Sequence, residues 1–189
     1  MSEGERPKLR VVGSRKDRVV IGPVRLSLAP HGAAHSCDAV VLEEDTWQVV
    51  AAGPEMSIRI EHPIRFWTDV INAKPLTPGT VLLRKGWPLT MVAVVYDFGA
   101  EPCCRSRWIA AALAEILRIC RERHVSALLL PLPGVRHGRL SLRKSFRLVV
   151  RALEEAQHGE LRQVLLACPS EEAEEKVRQL IAAKAAACQ

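Results

Sequence analysis

The chain has 189 residues, 48% of them hydrophobic and 25% charged. That balance excludes global disorder and suits one soluble domain, large enough to bury a core without a disulfide or metal staple. Lys and Arg number 27 against 21 Asp and Glu, a net charge of +6, which favours an anionic partner over a cationic one.

Residues 1–17 carry Glu, Arg, Lys, Ser and Gly with a short apolar break at Leu9–Val12, so they are expected to form a flexible basic arm ahead of a single domain at 18–189. Arg18–Ile21 and Val24–Leu28 alternate as strands on either side of Gly22-Pro23. Residues 29–37, with Pro, Gly, Ser and two His, predict a loop. Asp38–Leu42 predicts a short strand ended by the acidic run Glu43-Glu44-Asp45, expected as a solvated loop. Trp47–Ala52 predicts another short strand, and Trp67, Val70 and Ile71 mark a short helix within 56–73. Thr80–Arg84 is a strand after the Pro78-Gly79 turn. Met91–Tyr96 is apolar without alternation, the mark of a strand covered on both faces. Ile109, Leu113, Ile116, Leu117 and Cys120 share one face of a helix over 105–123. Strand 126–130, helix 141–156, strand 163–167 and helix 170–186 follow, Ser170 capping the last with Glu171 and Glu172 in its first turn. Alternating strands and helices predict an α/β three-layer sandwich: a mixed, mostly parallel central sheet with helices on both faces.

Met1–Arg10 has no apolar stretch of signal-peptide type, and the longest apolar runs fall far short of the roughly 20 residues that span a bilayer. The expectation is a cytoplasmic protein with no membrane partner. Six cysteines (37, 103, 104, 120, 168, 188) lack CxxC spacing, and six histidines form no HExxH, so reduced thiols and no metal or other cofactor are expected.

In an open α/β sheet, ligands bind beyond the carboxyl ends of the strands, where loops lead into helix N-termini. The strongest such loop is Pro131 to Ser141, with Gly134, Val135, Arg136, His137, Gly138 and Arg139 as candidate phosphate-binding residues. Its glycines let backbone approach an anion, and the following helix offers unpaired N–H groups. Between Arg123 and Arg151 there are seven basic residues and no Asp or Glu. Asp45, Tyr96, Phe98 and Cys168, near other strand ends, are candidates for the pocket edge. No catalytic residue is assigned: Cys103, Cys104 and Cys168 have no evident His partner in the sequence.

At this loop the sequence resembles the macro domain family: a strand ending in Pro, a Gly-rich turn, then Leu140-Ser141 opening a helix. Asp38-Ala39-Val40-Val41 is similar to that family's Asp-Ala-Ile-Val strand. Pro78-Gly79-Thr80 through Trp87-Pro88-Leu89 and the strand after it also look like the family's pattern, and the element order agrees over roughly residues 38–185. The resemblance implies a macro-like fold and an ADP-ribose or nucleotide ligand. The chain departs from the family where Leu42-Glu43-Glu44-Asp45 replaces Asn-Ala-Ala-Asn. Ala51–Met56 stands in place of a Gly-rich loop, Gly22-Pro23-Val24 in place of Gly-Asp-Ile, and Cys168-Pro169 in place of an adenine-stacking aromatic. Three carboxylates at the ribose position would oppose a diphosphate.

The expectation is therefore a binding module for a phosphorylated small molecule or nucleotide, without classical ADP-ribose hydrolase activity. The alternatives are a self-association or protein-interaction domain (a homodimer among them) with a decayed pocket, and electrostatic nucleic-acid binding through residues 6–18 and 143–151.

Overall fold

The computed structural model describes residues 18–29, 37–50 and 74–187. Its strands are β1 (Arg18–Ile21), β2 (Val24–Leu28), β3 (Ala39–Asp45), β4 (Val81–Arg84), β5 (Leu89–Tyr96), β6 (Ala127–Pro131) and β7 (Gln163–Ala167). Its helices are α1 (Ser106–Glu122), α2 (Leu142–Glu155) and α3 (Glu171–Ala187). The basic arm at 1–17 and the short helix expected in 56–73 lie outside the described residues.

The strands form one seven-stranded sheet in the order β1-β2-β7-β6-β3-β5-β4. The five inner strands run parallel, and β1 and β4 close the two edges antiparallel. Parallel pairing requires crossovers, which α1 and α2 supply between β5, β6 and β7. The sheet is thus mixed and mostly parallel, as the alternation of strands and helices predicted.

α1 packs on β5 and β4, α3 on β1 and β2, and α2 lies between α1 and α3 in contact with both. This layer buries Ile109, Leu113, Ile116 and Leu117 of α1, Phe146, Val149, Val150 and Leu153 of α2, and Val177 and Ile181 of α3. These are the i, i+3, i+4 positions that the helical period requires. Met91 to Tyr96 are all buried, so β5 is the fully covered strand its unalternating sequence predicted.

One residue locks the middle of the sheet. The Asp38 carboxylate, just ahead of β3, accepts hydrogen bonds from the Ser126 N–H at 2.9 Å, the Ala127 N–H at 3.0 Å and the Ser126 hydroxyl. It therefore pins the start of β6 beside the start of β3.

Two expectations fail at the far end of β3. That strand does not stop before the acidic run but continues through it to Asp45. The strand predicted at 47–52 is instead a turn across its described part, 47–50. Both failures have one cause. Asp45 accepts from the N–H groups of Trp47 (2.6 Å), Val49 (2.8 Å) and Val50 (2.9 Å), while Glu44 accepts from Asp45 (3.0 Å) and Val50 (2.8 Å). Amides engaged by carboxylates cannot join a ladder, and Gln48 at φ 59° completes the turn. Glu44 and Asp45 are buried at 0% and 1% exposure, so the acidic run is a folded turn-former and not a solvated loop.

Candidate functional site

β6 ends at Pro131 beside β3, and the chain then curls over Leu132–Ser141 before entering α2. Two backbone bonds close the curl, Val135 N–H to the Leu132 carbonyl at 3.4 Å and Leu140 N–H to the Gly134 carbonyl at 3.1 Å. Ser145 ties it to the helix by donating to the Pro133 carbonyl at 2.8 Å. Ser141 caps α2, its hydroxyl accepting from the Lys144 N–H at 3.3 Å. The six expected phosphate-binding residues, Gly134 to Arg139, thus sit together at the N-terminus of a 14-residue helix.

The glycines have a packing reason. Gly134 has φ +79°, and a β-carbon there would lie 2.7 Å from Ile109 Cδ1. At Gly138 it would lie 2.4 Å from Cys104 Cβ. Without side chains the loop can fold down onto the segment ahead of α1. That segment is fixed in turn by Asp97, whose N–H donates to the Cys103 carbonyl at 2.8 Å.

Of the acidic run, Glu43 reaches this loop. One of its carboxylate oxygens accepts from the Gly134 N–H at 2.6 Å, short even for a charge-assisted bond. Burial raises the Glu43 carboxyl above its ordinary range. The Gly134 N–H, the Tyr96 hydroxyl and the Arg136 guanidinium act against that rise. Asp45, expected at the pocket edge, has its carboxylate engaged by the 47–50 turn.

Tyr96 and Phe98 do meet the loop. The Tyr96 ring stacks on Phe98 with centroids 5.9 Å apart and meets the His137 ring edge-on at 5.6 Å. Tyr96 is fully buried, whereas Phe98 is 54% exposed and presents an open aromatic face beside the loop. The Tyr96 hydroxyl has no hydrogen-bond partner of good geometry. Burial and the Glu43 charge push its pKa well up, so it stays a neutral donor.

Two thiols, Cys104 and Cys168, are made poor nucleophiles by burial. Burial, reinforced by the Glu43 charge, raises Cys104 to about 11, and burial also raises Cys168 to about 11. The thiolate is the reactive form, so both of these thiols are held in their unreactive state at neutral pH. Cys168 follows directly on β7 and lies near Glu174 and Arg178 of α3. Among the described residues no group of three His, Cys, Asp or Glu is placed to hold a metal ion. No described helix is long and apolar enough to cross a membrane.

Around the loop, Arg136, Arg139, Arg143, Lys144 and Arg147 are exposed and make no ion pair among the described residues. A cavity of about 470 Å³ lies elsewhere, between α1 and α2. Of its lining arginines, Arg118 pairs with Glu115 and Glu122 and Arg151 with Glu155, while Arg121 donates to the neutral Gln157. The loop side of α2 thus carries a cluster of exposed basic side chains without ion pairs among the described residues.

Glu43 at the loop was missed in the sequence, where three consecutive acids look alike. The alternation of side chains along a strand was the available signal, since it separates Glu43 from the buried Glu44.

No protein-family model and no curated protein matches the sequence. Solved structures do match the fold. The macrodomain of Oceanobacillus iheyensis with MES bound superposes with a TM-score of 0.62 at 15% identity, covering 87% of this chain and 96% of that one. A variant of that macrodomain with ADPR gives 0.59 at 16% identity, covering 87% and 97%. The Trypanosoma brucei macrodomain in complex with ADP-ribose gives 0.55 at 17% identity, covering 77% of this chain and 63% of that one. With the sheet order and the placement of the loop, these superpositions show that the chain has the macrodomain fold.

Proposed function

We propose that this chain is a binding module that takes a phosphorylated small molecule or nucleotide at the Gly134–Arg139 loop. One observation carries the reading: the loop already holds an anion, its Gly134 N–H donating to a carboxylate oxygen at 2.6 Å. Hydrogen-bond donors at a helix N-terminus suit phosphate oxygens for the same reason. Arg136, Arg139 and Lys144 add charge, and the exposed Phe98 ring offers a surface on which a base could stack. Solved macrodomains that superpose on the chain contain ADPR or ADP-ribose, which makes ADP-ribose the first compound to test.

The reading includes no hydrolysis. The segment 42–45 replaces the family's Asn-Ala-Ala-Asn, and both Glu44 and Asp45 hold main-chain amides. Burial keeps the Cys104 and Cys168 thiols protonated.

Thermal shift against ADP-ribose, ADP, AMP and inorganic pyrophosphate tests the proposal. A ligand at a hundred times its Kd stabilises by about 2.7 kcal/mol, which reads as a rise of several degrees. If none of the four raises the melting temperature at millimolar concentration, the proposal fails. The exposed Arg143, Lys144 and Arg147 support a second reading, electrostatic binding of nucleic acid along α2. In that case an arbitrary oligonucleotide should bind and be released steeply by salt.

A further inference from the structure

We propose that Glu43 is a built-in competitor for the anion site: its carboxylate occupies the Gly134 amide, so a ligand phosphate can bind there only by displacing it. The inference rests on the anion-binding reading above and adds the residue that sets affinity and selectivity at the site.

The geometry makes the competition direct. A backbone N–H carries one hydrogen, and that of Gly134 is already directed at the Glu43 carboxylate. A phosphate oxygen at the same amide would lie within a few ångströms of this carboxylate. There the two negative charges repel strongly, because little water separates them. Glu43 is also fixed in place. It pairs with Ala93 of β5 in a strand whose start also pairs with β6 at Ala39 and Val40, and the buried Glu44 and Asp45 immediately beyond it hold the 46–50 turn. The side chain can rotate away, but the backbone carrying it cannot.

The groups around the carboxylate fit an internal ligand. Arg136 supplies positive charge from the loop, Tyr96 brings a neutral hydroxyl from β5, and Cys104 brings a protonated thiol from the segment ahead of α1. The cations that would greet an external phosphate therefore face a site already partly neutralised. A ligand must gain more at the loop than the one amide that Glu43 gives up. A second phosphate group, able to reach Arg136 while the first takes the Gly134 amide, favours diphosphates over monophosphates.

The experiment is calorimetric titration of ADP-ribose, and separately of inorganic pyrophosphate, into the wild type and the variants Glu43→Gln, Glu43→Ala and Glu160→Gln at one pH and ionic strength. Glu160 is exposed beside His124, remote in sequence from the loop, so its variant changes net charge equally without touching the site. Removing Glu43's charge is expected to tighten both probes at least about tenfold, with Glu160→Gln unchanged. In parallel, the Gly134 amide resonance should shift in ligand-free Glu43→Ala and move back toward its wild-type position when pyrophosphate is added. Equal binding by wild type and both Glu43 variants overturns the competitor role while leaving the anion site standing. Weaker binding in the Glu43 variants, with their melting temperatures intact, also overturns it, because Glu43 would then be a ligand contact. Equal tightening by Glu160→Gln would reduce the effect to net charge and overturn it as well. If no protein binds either probe, the anion-binding reading itself falls.

Discussion

Gly138 sits directly against Cys104, so close that a β-carbon on the glycine would lie 2.4 Å from the cysteine's own and 2.8 Å from the Gly134 carbonyl oxygen. The loop and the segment ahead of α1 are packed backbone to side chain. Gly138→Ala should therefore destabilise the protein by about 2 kcal/mol through overpacking. Gly134→Ala should do at least as much, because its φ of +79° adds backbone strain to the clash with Ile109. Gly86→Ala is the internal comparison. Gly86 has φ +141° but nothing within 4 Å of an added carbon, so only strain of about 1 kcal/mol is expected. Urea unfolding midpoints rank the three.

Asp45 is expected to be among the most sensitive polar positions in the chain. Its carboxylate satisfies three amides of the 46–50 turn from a fully buried position. Asp45→Ala takes the carboxylate from the Trp47 and Val49 amides, while Val50 keeps Glu44, and a loss of about 2–4 kcal/mol is expected. Asp45→Asn, which keeps one acceptor oxygen, should lose less. Chemical denaturation of both variants checks the order.

Glu43 should make stability depend on pH in an unusual direction for a carboxylate. Burial raises its pKa above the ordinary 4.5. A carboxyl raised on folding stabilises while protonated and withdraws that stability as pH climbs through its folded value. Glu43→Gln cannot ionise. It should therefore melt higher than wild type at pH 8, with the gap closing as pH falls to about 4. Each 1 kcal/mol would read as about 2–4 °C for a chain of this size. Tyr96 and Cys104 stay neutral across that range, and Arg136 and His137 are common to both proteins, so the difference reports Glu43. A gap that widened toward acid would contradict the assignment.

Three buried or half-buried thiols should resist modification in the native state. Cys104 and Cys168 are raised to about 11, and Cys120 in the core is pushed up to about 12. At pH 8 a thiol with a pKa of 11 is about one-thousandth thiolate, the form that reacts. Labelling by a disulfide reagent should spare these three until denaturant is added, after which all six cysteines should react. Mass spectrometry of the labelled peptides identifies them.

From Val81 onward the elements were legible because the sequence pattern and the burial agree. The apolar Met91–Tyr96 run is the covered strand, and the stripe from Ile109 to Cys120 is the buried face of α1. Boundaries moved by a residue or two, as helix ends do. Residues 43–50 were not legible, because their structure depends on where local carboxylates point. Asp45 with Trp47 two positions on is an Asx-type arrangement, a signal that existed but was outweighed by the β-branched pair Val49-Val50. The meeting of Glu43, Tyr96 and Gly134 was beyond pattern reading altogether. It follows from β3 lying between β5 and β6 in a sheet whose order is not the order of the chain.

That strand order also governs how the protein can be assembled. The β1–β2 hairpin finds its parallel partner only in β7, where Leu26 pairs with Val164, about 140 positions later, and such distant pairings are slow to form. During synthesis the hairpin must wait, its apolar side uncovered, until nearly the whole domain has left the ribosome. Truncation before Gln163 should leave that hairpin without a neighbour and prone to associate with other chains.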